Sequence, residues 1–152
     1  MTIKEILINS GNPLIQEIQA NMQSAGQNAS GQTSQSLNQT ITETNGKIKY
    51  VLDADRHFFV LEEGRKAGKQ PPISVIQKWI EDKPISNASK GLAFAIAKKI
   101  GAEGSALFRT GGRTDIFSNV ITDNAVASIT DKIANFTLKE TADSIIETYN
   151  KR

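Results

Sequence analysis

Residues 37–52 read LNQTITETNGKIKYVL. Asn45-Gly46 sits there between two runs in which apolar and polar residues alternate. A type I′ turn needs positive φ at both central positions, and Asn-Gly adopts it at low steric cost. Leu37, Gln39 and Ile41 fall on one side before the turn, and Ile48, Tyr50 and Leu52 do so after it. The pattern predicts two antiparallel strands, over about 36–44 and 47–53. Both flanks read as helix or loop, so this hairpin decides the fold class. The expectation is α+β: an N-terminal helix, an antiparallel hairpin packed against several helices, and a helical C-terminal region.

Upstream, Thr2 with Glu5 fits a capping box. Asn12-Pro13 then predicts a fresh helix start, with Asn12 as the cap and Pro13 in the first turn. Leu14, Ile18 and Met22 recur every four residues as one apolar stripe. From Ser24 to Gln35 the chain reads SAGQNASGQTSQ and carries almost no apolar side chain. Burial cannot offset the ordering entropy of such a stretch, so 24–35 is expected to be a mobile polar loop that orders on assembly.

Downstream, Asp55 is placed to cap a short helix that carries Phe58, Phe59 and Leu61 and ends at Gly64. Pro71-Pro72 opens a helix with Ile73, Ile76, Trp79 and Ile80 at three- and four-residue spacing, stopped by Pro84. A third helix bears Leu92, Ile96 and Ile100 on one face, with Ala93 and Ala97 small enough for close packing. Gly101 and Gly104 end it. SALFRTGGRTD, residues 105–115, reads as a loop. Thr114 or Asp115 starts a helical region over about 115–150, with Ile129, Ile133 and Phe136 on its apolar face. Thr137 and Glu140 resemble a second capping box, predicting a kink or a new helix there. Ile145, Ile146 and Tyr149 give the last piece a narrow apolar stripe.

The chain has 152 residues, a length suited to one domain, with 38% hydrophobic and 22% charged residues. No apolar run approaches the roughly 18 residues of a membrane span. The N-terminus lacks the charged and apolar regions of a signal peptide, so none is expected. Cysteine is absent, which excludes disulfides, thiol catalysis and cysteine-held zinc. A net charge of +2 is too small for strong nucleic-acid affinity from bulk charge.

Few residues suggest catalysis. Glu62 and Glu63 are adjacent, and neighbours on a helix point about 100° apart, so they do not converge on one substrate. They read as a solvated or salt-bridged pair. His57 is the single histidine and lacks metal-ligand spacing to any partner. No serine sits in a nucleophile elbow. GRKAGKQ, residues 64–70, imitates a phosphate loop, but three residues separate its glycines where such a loop has four, and Gln70 follows Lys69 where a Ser or Thr would hold magnesium. RTGGR, Arg109 to Arg113, offers two guanidinium groups on a flexible turn and reads as a surface turn with salt bridges or an anion contact. The expectation is a protein that is not an enzyme and takes no cofactor and no metal.

Order adds what single motifs lack. GQTSQSL precedes the hairpin. An aromatic helix ending LEEGR follows, then GKQPP leading into ISVIQKWI, then AFAIAKKI and EGSALFR. This succession resembles the neck, head–tail joining and tail-completion proteins of tailed double-stranded DNA bacteriophages, over about residues 30–113. The resemblance implies a homo-oligomeric ring in the virion, between portal and tail, lining the DNA path. Its implied partners are a portal or adaptor ring protein, tail proteins and passing duplex DNA, without a membrane. Assembly would take place in the host cytoplasm. On that reading Phe58, Phe59 and Leu61 anchor the short helix in the core. Glu62 and Glu63 of one subunit face Arg65, Lys66 or Lys69 of its neighbour, and Arg109 and Arg113 meet the lumen or a neighbour. The alternative is a small nucleic-acid-binding module using the basic residues of 65–69 and 109–113.

Overall fold

The computed structural model describes residues 1–83 and 85–151. Helix α1 (Ile3–Ser24) starts at the expected capping box: the Thr2 hydroxyl accepts from the Glu5 N–H, and the Glu5 carboxylate accepts from the Thr2 N–H. The break expected at Asn12-Pro13 does not occur, because α1 runs on through Pro13. An internal proline forfeits a helix hydrogen bond and costs up to about 3 kcal/mol. Packing on both sides opposes that cost. Ile6 and Leu7 before the proline and Ile18 and Met22 after it are all buried. The Gln39 amide also reaches over to donate to the Asn12 side-chain oxygen at 2.6 Å while accepting from the Tyr50 hydroxyl at 3.0 Å. Gly11 makes room for this contact, since a Cβ there would lie 1.8 Å from the Tyr50 hydroxyl.

The polar segment expected as a loop ends in a short helix, α2 (Gln32–Ser36), which is why the first strand begins two residues late. Gln19 donates to the Ser34 carbonyl at 2.9 Å, and the Ser36 hydroxyl accepts from the Asp55 N–H at 3.0 Å. Strands β1 (Asn38–Thr44) and β2 (Lys47–Asp53) pair antiparallel, from Asn38↔Asp53 to Thr44↔Lys47. Asn45 and Gly46 take φ of 52° and 73°, the type I′ geometry the dipeptide predicts.

Asp55 accepts from the His57 N–H at 2.7 Å and opens the turn into α3 (Val60–Glu63), which Gly64 ends. Phe58 is buried, but Phe59 is 61% exposed, so of the expected aromatic anchors only Phe58 reaches the core. It stacks on Phe117 at 4.6 Å. Together with Ile18, Met22, Ile116 and Val120 it forms the first core cluster, flanked by Leu14, Leu37 and Leu61.

Helices α4 (Ile73–Asp82) and α5 (Lys90–Glu103) pack on each other and make a second cluster of Ile76, Ile80, Ala93 and Ala97. Both alanines are fully buried where the helices meet, and Leu92, Ile96 and Ile100 flank them. Pro84, the expected stop of α4, lies outside the described residues. Gly101 does not end α5. It lies inside the helix, facing Gln70 so closely that a Cβ would sit 3.0 Å from the Gln70 Cα, and Gly104 is the cap.

Residues 106–109, expected as loop, form the short helix α6 (Ala106–Arg109), capped by the Ser105 hydroxyl. The last helix, α7 (Asp123–Asn150), begins at Thr122 rather than at 114 or 115. It runs through Thr137 as one helix, so no new helix starts there. The Thr137 hydroxyl donates to the Ile133 carbonyl at 2.9 Å, as a threonine inside a helix can. The fold is therefore α+β and helix-rich, and no helix among the described residues is long and apolar enough to cross a membrane.

Candidate functional site

Two loops that are distant in sequence lie against each other: 62–69, leaving α3, and 101–118, which surrounds α6. Their backbones interlock. The Ser105 N–H donates to the Arg65 carbonyl at 2.8 Å, the Arg65 N–H to the Ser105 hydroxyl at 2.9 Å, and the Gly68 N–H to the Gly101 carbonyl at 2.8 Å. The Arg113 N–H donates to the Glu62 carbonyl at 2.9 Å. Such close approach requires glycine. A Cβ on Gly64 would lie 2.4 Å from the Phe108 nitrogen, and one on Gly112 would lie 2.7 Å from the Glu62 carbonyl oxygen. Both residues also hold φ near +75°, which L side chains resist.

Glu62 is the centre of this clasp. It is 4% exposed. One carboxylate oxygen accepts from the backbone N–H groups of Ile116, Phe117 and Ser118 at 2.8, 2.7 and 3.0 Å, and the other accepts from the Ser118 hydroxyl. Burial by itself would raise the carboxyl pKa. The Ser118 hydroxyl and the three N–H groups outweigh it, so the group is held below its ordinary value and stays ionised. Successive N–H groups pointing at one anion form a nest, here filled by the chain's own carboxylate.

This corrects the expected role of Glu62. Both its oxygens are engaged within the chain, so it has nothing to offer a neighbour's cation, and it is not one half of a solvated pair with Glu63. Glu63, Arg65, Lys66 and Lys69 do lie exposed on the outer side of the clasp. The Arg65 guanidinium donates to the Lys69 carbonyl at 3.0 Å, which tightens the turn. Neither Lys66 nor Lys69 has an ion-pair partner among the described residues.

The two arginines proposed for DNA or a neighbour are both paired at home. Arg109 meets Glu103 at 2.7 Å. Arg113 grips Asp115 with two hydrogen bonds, of 2.6 and 2.7 Å. That bidentate contact raises the Arg113 pKa and lowers that of Asp115. Asp115, expected to start a helix, is instead the counter-ion of this turn. His57 is exposed on the turn before α3.

No known protein family, curated protein or solved structure matches this chain.

The clasp also rests on residues that sequence reading passed over: Ser105, Ile116, Phe117 and Ser118. One signal pointed to it. Glu62 follows Phe58 by four residues, so on a helical turn it shares the buried face, and a carboxylate there requires donors. The identity of those donors was not legible, because they lie 54–56 residues further along and are mostly backbone.

Proposed function

We propose that this chain is a structural virion protein of a tailed phage, a subunit of a ring in the neck that joins head to tail and surrounds the DNA path. The observation that carries the reading is the ordered succession of motifs over residues 30–113. The clasp joins two of these motifs, LEEGRKAGK and EGSALFRTGGR, through glycine-dependent backbone contacts, while the donors to Glu62 at 116–118 lie just beyond that span.

The clasp offers a charged rim. Glu63 carries the negative charge, and Arg65, Lys66 and Lys69 carry the positive. A head-to-tail contact in which the lysines of one subunit meet Glu63 of the next closes a ring when the rotation permits. Exposed pairs of this kind fix orientation more than they add affinity. Arg109 and Arg113 face DNA or a neighbour with their charge already balanced by Glu103 and Asp115, which suits a lumen through which DNA must slide. The same balance weakens the nucleic-acid-module reading, whose basic surface loses two of its charges.

The test is Lys66→Glu with Lys69→Glu. The double variant is expected to keep the wild-type circular dichroism spectrum and to abolish joined head–tail particles in electron micrographs of a complementation lysate. Normal particles from a folded double variant would remove the docking role of this rim.

A further inference from the structure

Asn45-Gly46 builds the hairpin turn, and it carries a second chemistry. Asn45 is the one asparagine in the chain that is followed by glycine. Both residues are exposed at the hairpin end, beyond the last ladder pair, Thr44↔Lys47. Nothing lies within 4 Å of where a Gly46 Cβ would stand. Among the described residues, neither the Asn45 side chain nor the Gly46 N–H takes part in a hydrogen bond. The Asn45 amide carbon and the Gly46 nitrogen, joined through the Asn45 backbone, are therefore unhindered and unengaged.

Every other asparagine is followed by a residue with a Cβ, which crowds the nitrogen after it. Asn87 is the most instructive comparison. It is exposed and also holds a positive φ, 65°, but Ala88 follows it. Asn9, Asn21, Asn124 and Asn135 lie within α1 or α7, where the helix holds the backbone on both sides. Exposure, an open neighbour and a free nitrogen come together at Asn45.

We propose that Asn45-Gly46 is a site of spontaneous modification, at which the turn closes on itself and loses ammonia. The Gly46 nitrogen gives up its proton and attacks the Asn45 Cγ. The N–Cγ bond forms, the Cγ–Nδ2 bond breaks, and ammonia leaves with the proton, so a five-membered imide remains. Water then opens the ring. Attack at Cγ gives aspartate. Attack at the Asn45 backbone carbonyl gives isoaspartate, whose main chain runs through Cβ and Cγ. Nothing is oxidised or reduced, and solvent water is the only co-reactant. Holding both groups in adjacent residues makes the first step intramolecular. Ring closure needs the Asn45 backbone to leave its type I′ geometry, and the end of a two-stranded hairpin permits that by local opening.

The two products differ in their effect. Aspartate before glycine keeps a type I′ turn. It adds a negative charge two residues from Glu43, which pairs with Lys4 of α1 at 2.7 Å. Isoaspartate adds a carbon to the main chain at the turn and so disturbs the adjoining Thr44↔Lys47 pair. The inference does not rest on the neck reading.

Incubation of the full chain in mildly alkaline buffer tests this, with cation-exchange chromatography and peptide mapping as the readout. The expected result is a form one charge below the +2 chain that grows with time and is altered at position 45. Asn45→Gly is the control, since Gly-Gly also adopts a type I′ turn. It is expected to keep the fold and to lack that form. A protease that cleaves before aspartate but not before isoaspartate separates the two products. The isoaspartate fraction is expected to exchange its β1 and β2 amides faster than an Asn45→Asp chain does. A wild type that keeps its charge overturns the proposal. Modification that appears first at Asn87 or another asparagine, or at an equal rate in Asn45→Gly, also overturns it. Exchange no faster than in Asn45→Asp would remove the effect assigned to isoaspartate.

Discussion

Replacing Glu62 by glutamine exchanges one acceptor oxygen for an NH₂ group and sets it among donors that already point inward. The expected cost is about 2–3 kcal/mol, since hydrogen bonds to a charged acceptor are the stronger kind and donors left unpaired lose their solvation. A lowered urea midpoint at unchanged slope would register it. The pH dependence has a fixed direction. In the unfolded chain the carboxyl titrates at about 4.3, and in the fold it titrates lower. Its contribution is complete above the unfolded value and is lost as pH falls through the folded one. Wild-type stability should therefore drop more steeply below pH 5 than that of Glu62→Gln. Asp115, also lowered, contributes equally to both proteins. Parallel acid profiles would show that Glu62 is not the keystone of the clasp. At this scale the sequence was half legible. The Phe58–Glu62 spacing pointed inward, but a carboxylate beside a second carboxylate suggests solvent, and nothing local announces backbone donors 54–56 residues away.

Elements were legible where their determinants are local. Asn45-Gly46 needs no tertiary contact to favour its turn, and the hairpin appears where it was expected. Thr2 with Glu5 likewise caps α1 from within its own first turn. The misreadings occurred where packing overrides a local preference. Pro13 should end a helix, yet buried residues on both sides and the Gln39–Asn12 contact carry α1 through it. Thr137 with Glu140 has capping-box spacing, but in mid-helix the threonine hydroxyl bonds back to Ile133. Pro13→Ala follows from the first case. It restores a helix donor at a site that already has helical geometry, and should stabilise the fold by about 1–3 kcal/mol, measured by thermal or urea unfolding. A destabilised variant would mean that the proline shapes α1 for its contact with the hairpin.

Over the whole molecule there are two small cores and one clasp. The cluster around Phe58 and the α4–α5 cluster have no buried residue in common, and loop 101–118 supplies Ile116 to the first of them. Glu62 and the glycines beside it hold loops 62–69 and 101–118 at close quarters, which fixes the backbone that carries the rim of Glu63, Arg65, Lys66 and Lys69. That rim, repeated round a ring, is the basis of the proposed role in the neck. The proposed ring has no trace in periodicity or composition, since a subunit contact leaves no period in the chain that makes it. The central claim concerns where the protein sits, and immunogold electron microscopy of purified virions, using an antibody to this chain, tests it most directly. The account predicts gold at the junction of head and tail. Label confined to the lysate, with purified virions bare, would contradict it.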